Sequence, residues 1–394
     1  MTRPAPTSPP PSVPTAGGAP TGTILVDREL RALLGSAVNV DAEAPPIAPQ
    51  QVQPASLDLR VGGRLVNLRC GFLPERSAVE ARIAELAVDD SDLGSEGLVL
   101  QRGQIYLVPL EERLALEPGQ VARFNPRSSS GRCDLFCRMV VPGHPRYDET
   151  PTGYHGPLWL EIVPLSFPIR IRRGDRLVQL RLSHGPAGLT RDELREIHAE
   201  TPLAFDGDRP LTEEELRFTD DGSLELRVGL EGRKPCGWRA VLHTGAVDFA
   251  GAAVHDRFDF WESVYPRGEG GACILDPGRF YIFASRERLR IPPHLAAEML
   301  PVDLGLGEVR NNYAGFFDPG FGWEEQAGQP CGSGTAAVLE VRAHDVPFLL
   351  EDGQIFFKLR YFRASGRPEN LYGHGRGGPS YRDQDLTLAR PFRG

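Results

Sequence analysis

Arg127-Ser128-Ser129-Ser130-Gly131-Arg132 lies inside the stretch Phe124 to Phe136 and sets two guanidinium groups around three hydroxyls and a glycine. Forked charge-assisted donors, hydroxyls and backbone N–H groups this close together suit a dense anion such as a phosphate chain. The same residues also suit an ordinary solvated turn, because short Ser/Arg clusters recur by chance. Two glutamates carry the other chemistry. Leu158-Trp159-Leu160-Glu161 and Val338-Leu339-Glu340 each follow an apolar run with a carboxylate. Partial burial at such a place raises a carboxyl pKa toward neutrality, where it can take and return protons. A strand-end glutamate paired with a neighbouring arginine is the structural alternative for either one.

Composition bounds the setting. The 394 residues, 40% of them hydrophobic, can bury a sizeable core and suit two or three domains of a soluble globular protein. The 36 prolines and 44 glycines punctuate short apolar runs, which favours a mainly β architecture with few helices. A formal net charge of −9 argues against a nucleic-acid binder or a membrane-surface protein, so positive charge for an anionic ligand must be local. The six cysteines (Cys70, Cys133, Cys137, Cys236, Cys273 and Cys331) form no C-x-x-C pair and read as reduced thiols in a cytoplasmic protein. No run approaches the roughly 20 apolar residues of a membrane span.

The elements that must position these groups follow in order. Residues 1–23, rich in Pro, Thr, Ala and Gly without an apolar signal region, read as a disordered tail. Asp27 is placed to cap a short helix bearing Leu30, Leu33 and Leu34, with Gly35 closing it. Val52 to Val61 alternates as a half-buried strand. Further strands are predicted at Gly97 to Leu100, Ile105 to Leu110, Val121 to Asn125, Leu158 to Val163, Ile169 to Ile171 and Leu177 to Leu182. Thr190-Arg191-Asp192-Glu193 starts a helix through His198, Thr212 to Glu215 starts another, and Leu224 to Val228 reads as a strand.

An internal repeat organises the whole. Gly103, Tyr106, Glu112, Arg113 and Leu114 recur as Gly278, Tyr281, Glu287, Arg288 and Leu289, a displacement of 278 − 103 = 175. Leu160-Glu161, Pro168, Gly174 and Leu180-Arg181 recur as Leu339-Glu340, Pro347, Gly353 and Leu359-Arg360, a displacement of 340 − 161 = 179. The expected division is a first repeat over 24–182, a connector with short helices over 183–235, a second repeat over 236–362, and a C-terminal tail over 363–394.

These landmarks resemble the dCTP deaminase branch of the dUTPase-like superfamily. The likeness rests on Leu25-x-Asp27-Arg28-Glu29-Leu30, Gln53-Pro54-Ala55-Ser56-Leu57-Asp58-Leu59-Arg60, the loop at Arg127 to Arg132, and Leu160-Glu161 with Pro168, Gly174 and Gln179-Leu180. In the second repeat it rests on Asn312-Tyr-Ala314-Gly-Phe-Phe-Asp318-Pro319-Gly320 and Leu339-Glu340. The resemblance implies a distorted β-barrel or jelly-roll in each of two tandem repeats, a homo-oligomer with threefold packing of repeats, and sites between units. It implies hydrolytic deamination of dCTP to dUTP and ammonia by a glutamate-activated water attacking cytosine C4. No catalytic metal is implied; Mg²⁺ would be bound through the triphosphate.

Each repeat holds half of such a site. The first keeps the Ser/Arg loop, yet Tyr147 to Gly156 has no Asp-Pro-Gly turn. The second keeps Ala314, Asp318 and Gly320, yet Leu300 to Gly305 has neither serine nor arginine. Complementation is therefore expected: Arg127, Ser128, Ser129 and Arg132 would hold phosphates, and Ala314, Asp318 and Gly320 the base and sugar side. Glu340 would be the catalytic base with Glu161 as second candidate. Tyr372, Arg376, Tyr381 and Gln384 of the tail would close over the nucleotide, one per chain. Two alternatives stay open, a bifunctional enzyme that cleaves on to dUMP and a nucleotide-binding protein without catalysis. A zinc deaminase would need more than His198-Ala199-Glu200, because Pro235-Cys236 and Pro330-Cys331 lack the second cysteine.

Overall fold

Six of the predicted strands form, most of them longer than the alternation alone indicated: Leu98–Leu100, Ile105–Ala115, Gln120–Pro126, His155–Pro164, Ile169–Ile171 and Arg176–His184. Of the strand expected over Val52 to Val61 only Leu57–Arg60 is extended in a sheet. In this computed structural model residues 22–268, 270–301, 309–311, 315–343, 345–373 and 386–393 are described. Of the expected site residues, Ala314, Arg376, Tyr381 and Gln384 lie outside them, as does nearly all of the predicted N-terminal tail. The tail's expected last residue, Thr23, is already paired in a strand, opposite His184.

The repeat is visible at the level of strand register. Glu161 stands opposite Leu107 and Glu340 opposite Ile282, and Leu180 stands opposite Phe124 as Leu359 does opposite Met299. Ile169 likewise faces Leu100 where Phe348 faces Leu275. Because side chains alternate faces along a strand, preserving register preserves which residue points into the core. The fold is mainly β with a few short helices, and its arrangement fits a tandem duplication.

The stretch 183–235 is not a connector. Leu224–Gly229 pairs with Ile355–Arg363, setting Leu224 opposite Leu359 just as Leu57 stands opposite Leu180. Its displacement from the first copy is 224 − 57 = 167. An ion pair repeats with it: Arg60 Nε donates to Glu112 at 2.7 Å, and Arg227 Nε donates to Glu287 at 2.5 Å. Ala204–Asp206 also joins the second sheet, and Leu194 of the helix Arg191–Glu200 enters the second core. These segments are the opening strands and helix of the second copy.

Two local expectations are revised, and His198 finds its place. Asp27 is the first residue of the helix Asp27–Ala32 rather than its cap, which is Val26. Its buried carboxylate instead accepts backbone N–H groups from Glu369 and Asn370, tying down the start of the C-terminal segment. Thr212 to Glu215 is a turn, in which the Thr212 N–H donates to Glu215 Oε2 at 2.8 Å. His198 is a core histidine. Its Nε2 meets Leu211 O at 2.8 Å and its Nδ1 accepts from Leu203 N at 3.1 Å, so both ring nitrogens are spent on backbone.

The two copies share part of their interior, while the second also keeps a core of its own. One continuous apolar cluster joins Leu57, Phe124, Leu160 and Phe167 of the first copy to Trp238, Phe260, Trp261 and Ile282 of the second. Phe392, from the last described residues, packs at ring-centroid distances of 5.3 Å from Phe260 and 5.7 Å from Trp261. Polar groups pin the same seam. Arg181 donates to Asp318 Oδ1 at 2.9 Å with both side chains buried, Ser56 Oγ donates to Asp318 Oδ2 at 3.0 Å, and Asn125 donates to Glu298 at 3.0 Å.

Candidate active site

A cavity of about 930 Å³ lies on this seam and is lined from both sides. Its size is within the range of small-molecule sites. The first copy contributes Arg127, Ser128, Ser129, Arg132, Arg176 and Gln179, and the second contributes Asp318, Val338, Glu340 and Tyr372. The expected half-sites therefore meet within a single chain.

The phosphate-type loop is held by a short helical turn, Ser128–Gly131, at the end of the strand Gln120–Pro126. That turn sorts the three serines. Ser128 and Ser129 line the cavity, whereas Ser130 is buried and donates its hydroxyl to Leu177 O at 2.7 Å, fastening the loop to the neighbouring strand. Arg127 is pinned rather than swinging freely. Its Nε lies 3.1 Å from Asp58 Oδ1 and its Nη1 donates to Arg176 O at 3.2 Å. Asp58 also stands 3.5 Å from Arg176 Nη1 and accepts from Gln179 Nε2 at 3.4 Å, so one buried carboxylate aligns both arginines. Arg132 donates to Thr387 O at 2.7 Å.

Glu340 sits on the strand Thr335–Ala343, 8% exposed. Burial pushes its carboxyl up to about 8; the Arg132 guanidinium pulls it down, and Asp134 pushes it up further. A carboxyl in this range exchanges protons readily near neutral pH. Its approach to the loop is close: a Cβ added to Gly131 would lie 2.5 Å from Glu340 Oε2. Any side chain at Gly131 would displace the carboxylate from the loop. Sequence reasoning noted that glycine as part of the cluster and did not assign it a role, because the residue it must accommodate comes from the other copy.

Glu161 does not reach the cavity. It lies against Gly71, whose added Cβ would be 2.5 Å from Glu161 Oε2, and Tyr147 Oη donates to it at 3.5 Å. Burial raises its carboxyl, and Arg138 opposes that shift.

On the second copy's side, Asp318 borders the cavity, yet its carboxylate oxygens are both taken, by Arg181 and by Ser56. It acts as a seam residue. Gly320 has φ +98°, and a Cβ there would lie 2.7 Å from Leu371 Cβ and from Tyr372 N. The glycine turn lets the segment at Tyr372 cross closely, and Tyr372 N donates to Pro319 O at 2.9 Å. Phe316, Phe317, Met299, Ala336 and Val338 give the cavity apolar lining of the kind an aromatic base packs against. Asp58, Arg176 and Gln179 were visible in the sequence as strand landmarks. Their part in the cavity follows only from the pairing of Arg176–His184 with Leu57–Arg60 and Gln120–Pro126.

Among the described residues no group of three or more His, Cys, Asp or Glu is arranged to hold a metal ion. Cys133 and Cys137 are buried thiols, and no helix is long and apolar enough to cross a membrane.

Family comparisons agree with this geometry. Residues 21–186 match the N-terminal domain of 2'-deoxycytidine 5'-triphosphate deaminase (DCD), and residues 190–392 match the C-terminal domain of the same family. The dCTP deaminase of Halorubrum lacusprofundi is 31% identical over 137 residues, 33% of this chain and 63% of that protein. The "dCTP deaminase, dUMP-forming" of Corynebacterium glutamicum is 30% identical over 118 residues, 29% of this chain and 57% of that protein. The matches thus span somewhat under two thirds of these two relatives. The crystal structure of 2'-deoxycytidine 5'-triphosphate deaminase from Agrobacterium tumefaciens superposes with a TM-score of 0.78 at 41% identity, covering 89% of this chain and all of that one. With both family domains matched in order and a solved relative covered from end to end, the chain belongs to the 2'-deoxycytidine 5'-triphosphate deaminase family.

Proposed function

We propose that this chain hydrolyses the 4-amino group of dCTP, giving dUTP and ammonia, in the cavity between its two copies. The observation that carries the reading is the contact of Glu340, a buried carboxyl with a pKa of about 8, with Gly131 of the Arg/Ser loop. A proton shuttle and an anion cradle share one pocket. In the reaction Glu340 takes a proton from water as its oxygen bonds to cytosine C4. The C4=N3 π electrons move to N3, which takes up that proton from Glu340. The same carboxyl then carries the remaining hydroxyl proton to the amino nitrogen, the C4–N bond breaks as C4=O forms, and ammonia leaves. Arg132 lowers the cost of the charged carboxylate during this exchange. Arg127, Ser128, Ser129 and Arg132 serve the phosphates, and the apolar wall at Phe317 and Val338 takes the base face.

Mg²⁺ bound to the triphosphate would screen its charge. Glu161, walled off by Gly71 and Tyr147, is assigned no part in turnover. A homo-oligomer and a cytoplasmic setting belong to the same proposal.

Incubating the protein with dCTP and Mg²⁺ and resolving the products tests it. Ammonia with dUTP is the expected result. Ammonia with dUMP and pyrophosphate would move this chain to the dUMP-forming activity named for the Corynebacterium relative, and absence of any product would sink the proposal.

A further inference from the structure

Residues 386–393 are anchored on the rim of the cavity. Phe392–Arg393 runs parallel to His255–Asp256, Trp238 Nε1 donates to Leu386 O at 3.0 Å, and Ala389 and Phe392 are buried in the shared core. The backbone of Arg390 is fixed as well, since Ala253 N donates to its carbonyl at 2.9 Å. With Ala389 and Phe392 turned inward, the exposed side chain of Arg390 lines the cavity beside Arg176. Among the described residues no carboxylate forms an ion pair with it.

Like charges are gathered here. Burial lowers the pKa of Arg176; Asp58 opposes this, while Arg127 and then Arg390 lower it further. Asp175 also faces Arg176 and is itself pushed up to about 6 by burial. Arg60, which also acts on Arg176, is paired with Glu112. Of the other three guanidiniums, Arg127 and Arg176 share the buried carboxylate Asp58, and Asp175 acts on Arg176. Such an excess of positive charge is costly in a partly dry pocket unless an anion completes it. The Glu340 end has a different make-up, since the charges acting on its carboxyl are Arg132 and Asp134.

We propose that Arg390, together with Arg176, reads the outermost phosphate of the nucleotide and so selects triphosphates over di- and monophosphates. The inference rests on the nucleotide reading above and adds a specificity determinant to it. A guanidinium whose backbone is fixed and whose neighbour is cationic gains most from the ligand carrying the most charge farthest from the base.

The test is steady-state turnover of dCTP, dCDP and dCMP by the full chain and by Arg390→Ala and Arg390→Lys. Arg390→Ala should lower kcat/KM for dCTP by roughly ten- to hundredfold, mainly through KM, with dCDP changed less than about twofold. Arg390→Lys should restore part of the loss. Equal losses for dCTP and dCDP, or none for either, would overturn the proposal. Should the wild-type chain turn over no deoxycytidine nucleotide, the activity reading fails separately. Calorimetric affinities of dCTP, dCDP and dCMP for wild type and Arg390→Ala then decide the role of Arg390 by the same ratio.

Discussion

Glu161 and Glu340 occupy the same position in the two copies, in the same register, and each is met by a glycine whose Cβ would come to 2.5 Å from its carboxylate. What differs is the segment that carries the glycine. Gly131 belongs to a loop with Ser128, Ser129 and Arg132 on an open cavity, whereas Gly71 follows the exposed Cys70 and closes over Glu161 with Tyr147. The strand delivers a carboxylate in both copies. Whether that carboxylate can do chemistry is decided by the neighbour brought against it.

The comparison breaks most sharply on the two glutamates. Glu340→Gln should cost about 10²- to 10⁴-fold in kcat for dCTP deamination, and Glu161→Gln should stay within about twofold. The opposite result would hand the active site to the first copy. The glycines provide the next contrast. Gly131→Ala forces a methyl group into the Glu340 carboxylate and should lower activity roughly a hundredfold, whereas Gly71→Ala should destabilise by about 1–3 kcal/mol and leave kcat unchanged at a temperature where the variant is folded.

Acidity sharpens the contrast further. If Glu340 must be ionised to accept the proton of water, kcat/KM rises with pH and bends near the value of about 8 to which burial pushes it. The stability sign is opposite. Folding favours the protonated carboxyl, so its contribution is full below the ordinary glutamate range and is lost as pH climbs to about 8. Glu340→Gln should therefore gain in Tm over wild type between about pH 5 and pH 8 and hold a constant advantage of a few degrees above that. A pH-independent Tm difference would contradict the burial of this carboxyl. The smallest effect is a count. Titration with a non-hydrolysable dCTP analogue should give one site per chain, because Glu161 faces no Arg/Ser loop, and two sites would erase the distinction between the copies.

Much of this was legible because strand register carries sequence periodicity directly. The displacements of 175 and 179 marked which strands correspond in the two copies, and the complementary losses, set beside the family resemblance, pointed to the Arg/Ser loop meeting Glu340. The opening of the second copy escaped because its displacement, 167, differs from the others, so Ser223-Leu224-Glu225-Leu226-Arg227 was not set against Ser56-Leu57-Asp58-Leu59-Arg60. Asp318 was read as part of a turn facing substrate, but its carboxylate is spent on Arg181 and Ser56 across the seam. Ser130, left out of the expected phosphate set, is turned inward by the helical turn. Arg390 had no local pattern at all. Its place is set by Ala253 and by aromatic rings far away in sequence.

The apolar cluster that runs from Phe124 and Phe167 through Trp261 and Phe280 to Phe392 has a consequence for how the molecule comes apart. Two folded bodies joined only by a linker melt in two steps, each with its own enthalpy. Here the first copy's cluster is completed by Trp238, Trp261, Phe280 and Phe392 of the second, so the first copy cannot keep its interior once the second opens, and heat denaturation becomes a single cooperative event. Its calorimetric enthalpy should match the van't Hoff value for the whole chain.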